Sequence, residues 1–185
     1  YLQGNDIAVT LLNSTAALGN TAVQAYKHTG FINEDSTQYY IPKNFTIQPA
    51  NAPGDSVTVR FYVPDEAMRT VREDQQCYSC SKVREVQQLG ITKYDDADKT
   101  IENNSLTDNI NGTYTFIPKG KITWIPYDIG YYAETKVRSF SEFWFNDGGP
   151  TKDQPLSVNL FDFTAAHYGP RHALLNWTSY IDAST

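Results

Sequence analysis

"SVTVRFYV", residues 56–63, decides the fold. Val57, Val59, Phe61 and Val63 alternate with Ser56, Thr58, Arg60 and Tyr62. A strict period of two predicts a β-strand with one face in a core and the other near solvent. The same reading extends outward to Ile7–Leu12, Thr21–Lys27, Gln38–Ile41, Asn44–Gln48, Leu89–Lys93, Thr113–Ile117, Lys121–Ile125, Tyr131–Val137 and Phe140–Phe145. Turn signals separate these runs: Pro53-Gly54-Asp55, Asn111-Gly112, Lys119-Gly120 and Asn146-Asp147-Gly148-Gly149. Pro42 interrupts its pattern, so that strand is expected to be an edge or to be split there. The expectation is an all-β, antiparallel β-sandwich with one short helix.

The helix follows the deciding strand directly. Pro64-Asp65-Glu66 makes a good first turn, with proline early and acids where the helix dipole favours them. Ala67, Met68 and Val71 then share one face. The helix is predicted to lie outside a sheet and to end near Gln75, just before Cys77 and Cys80. That C-x-x-C spacing serves redox pairs, zinc sites and short disulfide staples alike.

Composition narrows the function classes. Charged residues are 19% of the 185, the net charge is -6 and no Lys/Arg cluster occurs, which argues against a nucleic-acid surface. No apolar run approaches the roughly 18 residues of a membrane span. Tyr1-Leu2-Gln3 lacks the basic start and apolar stretch of a signal peptide, so the chain reads as a mature or excised piece of something larger. Residues 150–155 close a stretch of glycine, proline and polar residues that reads as a linker after a first domain, 1–149. Leu156–Phe163 and Ala173–Trp177 are two further strand-like runs within a last segment, 156–185. Thirty residues are too few for an independent domain.

Several stretches carry a resemblance. The runs SVTVRFYVPDEAMRTV (56–71), CYSCSKVREVQQLGITKYDDAD (77–98) and ENNSLTDNINGTYTFIPKGKITWIPYDIGYYAETKVRSFSEFWFNDGG (102–149) resemble a module near the C-termini of large secreted proteins of the Bacteroidota. The closing LSVNLFDFTAAHYGPRHALLNWTSYIDAST (156–185) resembles the first two strands of the immunoglobulin- or fibronectin-like domain that precedes the type IX secretion sorting signal. The rest of that domain and the signal are absent after Thr185. The resemblance implies an extracellular, cell-surface setting within a large multidomain parent. It brings no catalytic residues.

An oxidising surface makes a Cys77–Cys80 disulfide the expected state. Zinc would need further ligands, and His28, His167 and His172 are scattered. So small a ring removes little chain entropy, about 2 kcal/mol. Its role would be to pin the turn from helix to strand.

Two clusters are candidates for binding. Asp95, Asp96, Asp98 and Glu102 lie in an acidic loop that ends near Asp108, and Ca²⁺ takes six to eight oxygens. The spacing is not that of an EF-hand, and a solvated polar loop is the alternative. Trp124, Tyr127 and Trp144 stand in an aromatic-rich region with Tyr131, Tyr132, Phe140, Phe143 and Phe145. They are either core or a stacking platform for sugars. Consecutive Phe143-Trp144-Phe145 must point to both faces of a sheet. Catalytic motifs are absent, and no carboxylate pair is marked by an apolar setting. The sequence therefore favours a non-catalytic stalk, spacer or adhesion module whose partners are neighbouring domains or surface proteins. The alternative is a calcium-assisted carbohydrate-binding module attached to an enzyme.

Overall fold

A computed structural model describes residues 1–3, 6–30, 39–73, 83–148, 158–167 and 173–181. The chain divides into two compact units, Tyr1–Thr151 and Lys152–Thr185. Cys77 and Cys80 lie outside the described residues.

The first unit begins with a two-stranded ribbon, β1 (Leu2–Gln3) and β2 (Asp6–Ile7). Nine strands then form two antiparallel sheets. They are β3 (Val9–Leu12), β4 (Thr21–Lys27), β5 (Tyr40–Pro49), β6 (Val57–Pro64), β7 (Gly90–Asp95), β8 (Thr113–Ile117), β9 (Thr123–Tyr127), β10 (Gly130–Val137) and β11 (Glu142–Asn146). One sheet has the order β3-β6-β10-β9, the other β4-β5-β11-β7-β8. All pairings are antiparallel. The all-β sandwich with one short helix is thus the architecture of this unit.

The alternation in 56–63 does what its period implies. Val57, Val59, Phe61 and Val63 are buried, while on the opposite face Arg60 and Tyr62 stay half-buried and Thr58 is buried as well. Phe61 reaches across to the other sheet. Its ring centroid lies 5.2 Å from Phe45, 5.0 Å from Phe143 and 5.6 Å from Phe145. Tilted and edge-on pairs of this kind add about 0.5–1.5 kcal/mol each beyond the area they bury. Phe61 is therefore the rivet between the sheets.

Helix α1 spans Asp65–Glu73, with Ala67, Met68 and Val71 buried. It does not lie outside one sheet. It contacts β5 of one sheet and β6 and β10 of the other, so its apolar face closes the sandwich. A short run of three apolar positions fits a gap between two layers as well as one face of a layer, and sequence spacing does not separate the two.

Pro42 also differs from expectation. It sits inside β5, an internal strand between β4 and β11. The register shows how: Trp144 pairs with Asn44 but Asn146 pairs with Tyr40, so β5 bulges through residues 41–43. On the other side β4 ends at the Lys27↔Lys43 pair. The missing N–H of proline falls where the ladder is already broken.

The second unit contains one antiparallel hairpin, β12 (Val158–His167) with β13 (Ala173–Ile181), with a register shift between Leu160 and Asp162.

Candidate functional site

The two expected clusters do not form one site. Trp144 is wholly buried on the outer face of the five-stranded sheet, against Tyr40 and Leu106. It stacks on His28, with ring centroids 5.4 Å apart. Trp124 is half-buried and packs against Phe145 at 5.5 Å. Trp144 therefore offers no free ring face, and Trp124 is only partly exposed. Tyr127 does offer one: it is 44% exposed and meets Tyr62 at 5.1 Å and Tyr132 at 6.1 Å. The angle between the Tyr127 and Tyr62 rings is 75°, so they do not form a flat platform.

Tyr127 stands on the rim of a cleft of about 870 Å³. The β9–β10 turn forms one side of it. Asp128 takes a left-handed conformation (φ 50°), which an aspartate tolerates, and Ile129 projects with 76% of its surface exposed. Gly130 follows, where a Cβ would stand 2.4 Å from the Val63 carbonyl oxygen. Only glycine lets the turn come so close to β6. The end of β6 supplies Pro64, α1 supplies Glu66 and Thr70, and the β4–β5 corner supplies Lys27, His28 and Lys43. Lys27 and Glu66 meet at 3.1 Å, an exposed pair worth little in stability. The cleft combines tyrosine faces with a rim of both charges. That chemistry suits a polar ligand with apolar patches, and its volume is that of an ordinary small-ligand site.

The acidic loop is held by its own hydrogen bonds. Asp96 accepts from the Tyr94 hydroxyl at 2.6 Å and from the Asp98 amide at 2.9 Å. Asp98 accepts from the Thr100 hydroxyl at 2.7 Å and from its amide at 3.0 Å. Lys99 bonds Asp95 at 2.7 Å and Glu102 at 2.6 Å. The Tyr94 bond holds the Asp96 carboxyl below its usual range, and the Thr100 hydroxyl does the same for Asp98. Burial works against Asp95, but the Lys99 and Lys93 ammonium groups still keep it low. Burial pushes Glu102 up in spite of Lys99. The cation joining Asp95 to Glu102 is thus a lysine of the same loop. Among the described residues no three His, Cys, Asp or Glu side chains converge on a metal-binding geometry.

A third cluster escaped the sequence reading. Glu142, wholly buried, lies on the outer face of β11 under the segment 96–112. Asn109 donates to its Oε2 at 2.9 Å, and Asn44 donates to its Oε1 at 3.1 Å and to the Asn103 carbonyl at 2.7 Å. Asn44 Oδ1 lies 2.8 Å from His28 Nε2, so the chain of bonds runs from Glu142 to the cleft wall. Burial pushes the Glu142 carboxyl up to about 8, with the charges of Asp108 and Glu102 acting in the same direction. The search for a carboxylate pair in an apolar setting passed over this single acid. Its signal was Phe140-Ser141-Glu142-Phe143-Trp144-Phe145, a lone acid in an aromatic strand. No family model, curated protein or solved structure matches the chain.

Proposed function

We propose that residues 1–149 are a non-catalytic extracellular β-sandwich module, a stalk, spacer or adhesion domain of a large bacterial surface protein exported by the type IX route. The observation that carries this reading is the placement of the aromatic residues. Phe45, Phe61, Phe143, Trp144 and Phe145 are all fully buried and bind the two sheets and the covering loop together. Such packing stiffens a module that transmits load or holds neighbours apart. Its partners are adjacent domains of the parent or other surface proteins.

The cleft favours a second reading, a carbohydrate-binding module serving a parent enzyme. Tyr62 and Tyr127 offer ring faces there to sugar C–H groups, beside charged side chains able to bond hydroxyls. One experiment separates the two. The 185-residue chain is applied to insoluble polysaccharides and soluble glycans, with Ca²⁺ and with chelator. The stalk or adhesion reading expects no retention in any condition. Retention on one glycan class, lost in Tyr127→Ala with the fold intact, replaces it with the second reading. Loss with chelator alone would assign calcium to that binding.

A further inference from the structure

The cluster around Glu142 has a property that neither reading uses. Its carboxyl sits on β11 with no water access, and among the described residues no lysine or arginine pairs with it. The segment above it brings more acid, in Glu102 and Asp108. Three buried acceptor oxygens of the covering segment have no hydrogen-bond partner among the described residues: Glu102 Oε2, Asp108 Oδ1 and Asn109 Oδ1. The Thr46 hydroxyl, on the cross-strand neighbour of Glu142, and the Trp144 indole N–H are buried donors on the same face. Asn109 Oδ1 belongs to a residue already bonded to Glu142, and it lacks a hydrogen that the carboxyl can supply only when neutral.

Asn109 has the geometry to use that hydrogen. Its Nδ2 faces Glu142 Oε2 at 2.9 Å while its own Oδ1 is unpaired. A half-turn of the amide exchanges the two, so that Oδ1 accepts the carboxyl proton. Facing the carboxylate the Asn109 oxygen stays unpaired, and facing the acid it gains a partner. Asn109 is also an anchor of the segment, because its carbonyl accepts the Tyr114 hydroxyl at 2.5 Å.

We propose that Glu142 and Asn109 form a protonation-read latch that holds the segment 96–112 on the five-stranded sheet while the acid is neutral and loosens it when the acid ionises. On ionisation the proton leaves to solvent, and the new charge faces Asp108 and Glu102 on the segment. The other titratable groups facing Glu142 are Tyr26 and His28 at the end of β4 and Tyr94 on β7, the last its cross-strand neighbour. The lysine of the covering segment, Lys99, is engaged by Asp95 and Glu102, and His28 is separated from Glu142 by Asn44.

The test is amide hydrogen exchange of the whole chain at about pH 6 and about pH 9, corrected for the intrinsic pH dependence of exchange. Protection within 96–112 is expected to fall at least about tenfold at the higher pH in the wild type, while β6 and β10 are unchanged. Glu142→Gln, an isostere of the neutral acid, is expected to keep the segment protected at both pH values. Equal protection of the wild type at both, or a pH dependence that survives Glu142→Gln, overturns the latch. Should that variant misfold, a carboxyl ¹³C titration of the wild type decides: a Glu142 midpoint in the ordinary carboxylate range overturns it. A gain of protection on adding Ca²⁺ at the higher pH also overturns it, by giving the acids to a cation.

Discussion

On the four-stranded sheet the outward residues Arg60, Tyr62, Tyr132 and Glu134 stay half-buried and satisfy one another in contact with water. On the five-stranded sheet Asn44, Glu142 and Trp144 also point outward, yet they are wholly buried beneath the segment 96–112 and His28. Arg60 bonds Glu134 at 2.7 Å and its guanidinium lies 4.9 Å from the centre of the Tyr132 ring. Glu142 has two amides, with the Trp144 indole N–H beside them, and no cation among the described residues. The same residue type, a glutamate on the outer face of a strand, is thus an ordinary charged partner in one sheet and a buried acid in the other. The difference lies in what covers it, because burial raises the cost of charge far more than any single hydrogen bond lowers it.

That contrast can be broken first at its largest side chain. Trp144→Ala removes a fully buried ring and is expected to cost about 3–5 kcal/mol in urea unfolding. Were Trp144 a surface platform, the loss would be near zero. The pH dependence of stability comes next. Glu142 has its folded value raised to about 8 from an ordinary 4.5, so its contribution is fully present below the lower value. Stability is expected to decline as pH rises between the two, by on the order of 1 kcal/mol per pH unit. Glu142→Gln should flatten that slope, and Glu134→Gln on the open sheet should leave it in place. Tyr132→Ala on the open face is expected to cost about 1 kcal/mol, the scale of its ring and cation contacts. The smallest effect belongs to Arg60 and Glu134. A double-mutant cycle should give a coupling of about 0.2–1 kcal/mol, shrinking as salt is added, since about a third of each side chain is exposed.

Much of the sandwich was legible because alternation is a local signal. Val57, Val59, Phe61 and Val63 announced their face without any knowledge of the partner strand. Pro42 was misjudged because its tolerance depends on the register with β11, set by residues about a hundred positions away. The acidic loop was visible in Asp95, Asp96, Asp98 and Glu102, but nothing local shows that Lys99 takes the central place. Trp144 and Tyr127 looked alike as candidates. They differ because Leu106 and Tyr40 close over one, while a two-residue turn carries the other to a cleft rim. Glu142 was legible in hindsight, as a charge set among Phe140, Phe143, Trp144 and Phe145.

The order β4-β5-β11-β7-β8 has a consequence for how the chain reaches its native state. The strand made last in this unit, β11, lies at the centre of its sheet, and Asn44 and Glu142 are bonded across 98 positions. Until residues 142–146 arrive, β4–β5 and β7–β8 are two separate hairpins with Phe45 and Ile91 unprotected. Closing so long a loop is entropically costly before any contact rewards it, so folding should be slow for the length, in the millisecond-to-second range. A chain stopped short of Glu142 should not form a smaller stable domain. It should expose two sticky edges and require a chaperone, or a delay, before the centre strand locks both halves at once.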